Sequence, residues 1–126
     1  MRLIYSIIET AAHPSFSDLY RRLGIQEKRF SNMRKVMAAL KKQAPDYIVA
    51  EFIYGYSNNY AGVNISNLDV LLYALQKYAP DCRIIVLCSK EECPMTEKLK
   101  DIFPLHGVLP MPAKEQHIKP LMEFDN

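Results

Sequence analysis

Two apolar runs constrain the fold of this chain more than any other feature: Tyr47-Ile48-Val49-Ala50-Glu51-Phe52 and Arg83-Ile84-Ile85-Val86-Leu87-Cys88. Each follows a Pro-Asp pair, Pro45-Asp46 and Pro80-Asp81, which ends the preceding element. Neither run alternates apolar with polar residues, so each reads as a strand buried on both faces, the pattern of parallel sheets covered by helices. Leu3 to Ile8 is a third such run. It is too short to cross a bilayer and lacks the small-residue cleavage site of a signal peptide.

Between the runs the apolar spacing changes to the helical period. Phe16, Leu19, Tyr20 and Leu23 follow Pro14 at helical spacing, with Gly24 as the C-terminal stop. Met33, Val36, Met37 and Leu40 form a second stripe, ended by Pro45. Leu68, Leu71, Leu72 and Leu75 form a third, with Ser66 or Asn67 as N-cap. Pro94 opens a helix running to about Phe103, and Pro112 starts one carrying Ile118, Leu121 and Met122. Ile25 to Phe30 is the weakest strand, charged like an edge, and Gly107 to Met111 is a short final one. The order is β-α-β-α-β-α-β-α-β-α, which predicts one α/β domain over residues 1–126.

Apolar residues make up 49% of the 126 and charged ones 24%, as in ordinary globular proteins. The expected location is the cytoplasm, with no membrane association. The three cysteines, Cys82, Cys88 and Cys93, are expected to be buried free thiols, because an odd and sparse set makes no disulfide framework and no metal-ligand spacing. Net charge is +2 but uneven: residues 1–50 hold nine Lys/Arg against four Asp/Glu. Such a basic half is most simply two solvated helix faces, and otherwise a phosphate-facing surface.

Pro45-Asp46-Tyr47-Ile48-Val49-Ala50-Glu51 resembles the central strand of response-regulator receiver domains, where the last position is a phospho-accepting aspartate. Pro80-Asp81 through Ser89 and the pair Met111-Pro112 are similar to later family segments that end in a hydroxyl residue and in Lys-Pro. The resemblance covers the whole chain and implies a doubly wound, flavodoxin-like, five-stranded parallel sheet flanked by helices. It also implies that the phosphorylation site is degenerate. The acidic pair that binds magnesium in receivers corresponds to Ile7 and Ile8, with only Glu9 acidic. Magnesium requires oxygen ligands, which isoleucines lack. The hydroxyl position falls on Cys88, with Ser89 beside it, the lysine position on Met111, and the acceptor position on Glu51. No cofactor or metal is expected. Glu51 has two readings: a mimic of phosphoaspartate, or a strand-end carboxylate that is exposed or bonded to loop amides.

The loop Tyr54-Gly55-Tyr56-Ser57-Asn58-Asn59-Tyr60-Ala61-Gly62 is either a binding loop, through Tyr54, Tyr56 and Tyr60, or a loop packing on its own helix. The resemblance also points to an output or dimer face on the fourth helix, last strand and last helix, including Leu99, Phe103 and Leu121, and hence to a homodimer. The expected function is a phosphorylation-independent protein-interaction module in signalling or transcriptional regulation, with a protein partner and no enzyme activity. His13, His106 and His117 are scattered, and no base accompanies Cys88 or Ser89. The alternative is a DNA-binding regulator with a helix-turn-helix in residues 15–42, facing nucleic acid with Arg29, Asn32, Arg34 and Lys35. A strand at Gln26–Phe30 paired with the first strand excludes it.

Overall fold

The computed structural model describes residues 2–7, 15–53 and 66–122. Five strands form one all-parallel sheet: β1 (Leu3–Ile7), β2 (Gln26–Phe30), β3 (Tyr47–Glu51), β4 (Arg83–Cys88) and β5 (Gly107–Pro110). Their spatial order is β2-β1-β3-β4-β5. This is the doubly wound arrangement read from the sequence, with β3 at its centre. Every residue of β1 and β3 is buried, as expected of strands covered on both faces.

Alternation along the strands divides the core in two. Tyr5, Ile7, Ile48, Ala50, Ile84 and Val86 face α2 (Met33–Lys42) and α3 (Asp69–Tyr78). Ile4, Tyr47, Val49, Ile85 and Leu87 face α1 (Ser17–Arg22) and α4 (Glu115–Met122). Full burial of one such aliphatic side chain contributes about 1.5–3 kcal/mol.

Polar groups fasten the ends of these elements. The Asp46 carboxylate accepts from the Leu3 N–H at 2.8 Å, tying the Pro45-Asp46 corner to the start of β1. The Tyr5 hydroxyl donates to the Gln43 carbonyl at 2.7 Å at the end of α2, and the Asn32 side chain caps its start by accepting from the Lys35 N–H at 2.9 Å. Gly24 stops α1 with φ +73°, the left-handed conformation that favours glycine.

Several expectations are corrected. The Pro94 helix is a 3₁₀ helix over Cys93–Asp101, and α1 begins at Ser17. Leu68, with no side-chain cap bond, occupies the N-cap position of α3, while the Ser66 hydroxyl accepts from the Leu68 N–H one turn earlier. The last helix starts at Glu115 rather than at Pro112. Cys88 and Cys93 are joined by a disulfide, and only Cys82 is a free, buried thiol. Cysteine number alone missed this pair, because the turn after β4 folds position 93 back onto position 88: the Glu92 and Cys93 N–H groups both donate to the Ser89 carbonyl at 3.0 Å. The helix-turn-helix is excluded, since Gln26–Phe30 is a strand paired in register with β1 from Leu3↔Gln26 to Ile7↔Phe30.

Burial, with the Asp46 charge adding, pushes the Cys82 thiol from 9.0 up to about 12. The folded protein therefore keeps a proton that the unfolded chain loses. The stability from this group is complete below pH 9 and is lost as pH rises towards 12, at about 1.4 kcal/mol per pH unit. Denaturant titrations at pH 8, 9 and 10 should show this decline, and Cys82→Ala should reduce its slope. In denaturant without reductant the chain should titrate as one thiol, and as three after reduction.

Candidate functional site

In an open parallel sheet the carboxyl ends of the strands form the crevice where ligands bind. Here that rim is made by the ends of β1, β3, β4 and β5, at Ile7, Glu51, Cys88 and Pro110. Register places Glu51 beside Leu87 and Cys88 beside Pro110. The Phe52 N–H donates to the Leu87 carbonyl at 2.7 Å and the Met111 N–H to the Cys88 carbonyl at 2.8 Å, so both departing chains are held at the rim.

Glu51 is buried, only 2% exposed, which corrects the reading of an exposed strand-end carboxylate. By alternation from Tyr47 and Val49, its side chain leaves the sheet on the α1/α4 face. Cys88 leaves on the α2/α3 face, is fully buried, and is bonded to Cys93. It therefore has no S–H to offer an anion. Ser89 is half-buried, and its hydroxyl oxygen accepts from the Glu92 N–H at 3.3 Å within the turn. Met111 is half-buried, its thioether carries no charge, and its bond to Pro112 is cis. Ile7 is 1% exposed and packs in the core. Ile8, Glu9, Tyr54, Tyr56 and Tyr60 lie outside the described residues.

The receiver fold implies a divalent cation at this rim, and the described residues do not fit one. Glu51 is the one carboxylate among the described strand ends, and no three His, Cys, Asp or Glu among the described residues cluster closely enough to hold a metal ion. Among those residues, too, no helix is long and apolar enough to cross a membrane.

The output-face residues divide differently from expectation. Leu99 and Phe103, 0% and 4% exposed, pack in the core on the α2/α3 side and are unavailable to a partner. Leu121 is half-buried on the opposite side of the sheet, against Gly107, where a Cβ would approach it to 2.6 Å. The family resemblance that suggested a partner surface here named side chains that the core takes up. His13 lies outside the described residues; His106 Nε2 hydrogen-bonds with the Leu121 carbonyl at 2.8 Å, and His117 Nδ1 accepts from the Lys114 N–H at 3.1 Å.

Two polar centres were missed from sequence. Asn67 closes the chain leaving β3, its amide donating to the Glu51 carbonyl at 2.9 Å and its oxygen accepting from the Ile53 N–H at 2.7 Å. Under α1, Glu27 accepts from the hydroxyls of Ser6 and Ser17, both at 2.6 Å, and Arg29 donates to Ser17 at 3.0 Å. Burial, with the Glu27 charge adding, pushes the Tyr20 phenol upward. The signal for the second centre was the alternation of Glu27 and Arg29 on one side of β2. It was legible only once that segment is known to be a strand beside Ser6.

The fold recurs in solved structures. The chain superposes on a response regulator from Burkholderia pseudomallei, solved with a phosphorylated aspartic acid, with a TM-score of 0.66. The match has 18% identity and covers 99% of this chain and 68% of that one. A response regulator receiver domain protein from Clostridium thermocellum gives 0.68 at 13% identity, over 97% and 91% of the two chains. A response regulator from Desulfuromonas acetoxidans gives 0.65 at 15%, over 99% and 98%. The chain has the receiver fold. Neither a protein-family model nor a curated protein matches it by sequence.

Glu27→Ala should destabilise the protein by about 1–3 kcal/mol, because it leaves the buried Ser6 hydroxyl without its acceptor. Glu27→Gln should cost less, since the amide oxygen can still accept one serine; paired urea denaturation curves measure both.

Proposed function

We propose that this chain is a protein-interaction module on a receiver fold, acting in signalling or transcriptional regulation without phosphoryl transfer and without enzyme activity. One observation carries the reading. At the rim where receivers handle phosphate, the acceptor position holds a buried glutamate, the hydroxyl position a disulfide-bonded cysteine, the lysine position an uncharged methionine, and the first acidic position a core isoleucine. A single replacement can be compensated, but the set removes cation ligand, phosphate sensor and countercharge together.

The partner is a protein component of such a pathway, and the module resides in the cytoplasm. Its partner surfaces are the loop carrying Tyr54, Tyr56 and Tyr60, together with the solvent side of the 3₁₀ helix, β5 and α4. The latter surface also suits a homodimer. Met111 carries no charge at the position of the receiver lysine, so constitutive mimicry is the weaker account of the glutamate at position 51.

Incubation with magnesium and a small acyl phosphate should leave the intact mass unchanged. Glu51→Asp should also remain unmodified, because restoring the acceptor restores neither the cation ligands nor the countercharge. A stoichiometric phosphoryl adduct on wild-type Glu51 would overturn the reading.

A further inference from the structure

Three lysines of the basic half, Lys28, Lys35 and Lys42, line a groove on the α2 side of the β2 edge. Its volume is 350 Å³, at the lower end of the about 300–1,000 Å³ usual for ligand clefts. One wall is the outer face of α2, where Lys35, Ala38, Ala39 and Lys42 recur at helical spacing. The other is β2, through Lys28 and Phe30, and the Tyr5 ring lies beneath, with its centroid 5.0 Å from that of Phe30.

Three features separate this groove from an ordinary solvated helix face. No carboxylate lines it: the single acid of β2, Glu27, is held on the opposite face by Ser6 and Ser17, and α2 contains no acidic residue. None of the ammonium groups of Lys28, Lys35 and Lys42 forms an ion pair among the described residues. And β2 is the edge of the sheet, where among the described residues it pairs on one side only, with β1. Its outward N–H and C=O groups can therefore accept another strand.

From this combination we infer that the groove receives an acidic, extended segment of a partner protein, which adds as a strand to the open edge of β2. Alternate side chains of such a segment would point over the groove, with carboxylates meeting Lys28, Lys35 and Lys42 and an apolar residue covering Phe30. Backbone pairing along an open edge is a mode of peptide recognition. A nucleic acid could use the lysines but not the strand edge, and so is the less favoured occupant. A second copy of this strand is disfavoured, because in-register pairing about Lys28 would set that lysine against its own copy beside a groove that is already cationic. The inference deepens the proposed function, rests on its reading of the partner as a protein, and names that partner's chemistry at a surface remote from Glu51.

The test is fluorescence anisotropy with a labelled, capped eight-residue peptide alternating aspartate with valine and carrying one central phenylalanine. The full chain should bind it, and the Lys28→Glu, Lys35→Glu, Lys42→Glu triple variant should bind at least tenfold more weakly. Lys114→Glu with Lys119→Glu, on the far side of the sheet, should change affinity less than twofold. Circular dichroism melts show whether each variant is folded. Backbone amide shifts in wild type should concentrate in residues 26–30 and 33–43. N-methylation of alternate peptide residues should weaken binding at least tenfold. Equal affinity of the triple variant, insensitivity to N-methylation, or tighter binding of single-stranded DNA of the same length would each sink the proposal. Peptide binding by a protein that also accepts phosphoryl groups would overturn only the reading of Glu51. Absence of both peptide binding and phosphoryl uptake would overturn only this one.

Discussion

The structure depends on the double-sided burial of β3. All five of its residues are enclosed, and its backbone polar groups are satisfied because β1 and β4 lie along its two edges. An unpaired backbone group in such a place would cost a substantial part of the protein's net stability. Helices must then cover both faces, which assigns α2 and α3 to one side and α1 and α4 to the other. The Asp46 carboxylate on the Leu3 N–H fixes the entry to this strand, and Asn67 fixes the exit.

This scaffold is the one on which receivers carry phosphate chemistry, and three of the described groups at its rim take part in structural contacts. Cys88 is bonded to Cys93, the Ser89 hydroxyl accepts within a turn, and Ile7 belongs to the core. Polar investment has moved to the other end of the sheet order, where Glu27, Ser6, Ser17 and Arg29 anchor the charged edge strand against α1. That anchoring leaves Lys28 to the α2 side, and the separation of acid from base across β2 makes the groove uniformly cationic.

Legibility followed the range of the interaction. β1, β3 and β4 were readable because continuous aliphatic runs have few other stable fates, and the α2 and α3 stripes because helical spacing is local. β2 was readable only weakly: its sequence, Gln-Glu-Lys-Arg-Phe, has little strand character, and its parallel pairing with β1 supplies what propensity does not. Leu99 and Phe103 were misjudged because the family resemblance points to a face of these elements without saying which of their side chains the core covers. The Cys88–Cys93 bond was missed because it needs the chain to turn back within four intervening residues, a property of the Ser89 carbonyl turn rather than of cysteine number.

The sequence by itself determined the parallel α/β architecture, the order of its elements and the identity of the groups at the strand ends. Residue type and short-range period are sufficient for these. Only the tertiary structure decided that Glu51 is buried, that Cys88 is disulfide-bonded, and that Lys28 joins Lys35 and Lys42 around one groove while Glu27 turns away. The burial of Glu51 and the gathering of the lysines depend on strand pairing between segments distant in the chain, and the disulfide on the turn after β4; residue type and short-range period carry neither.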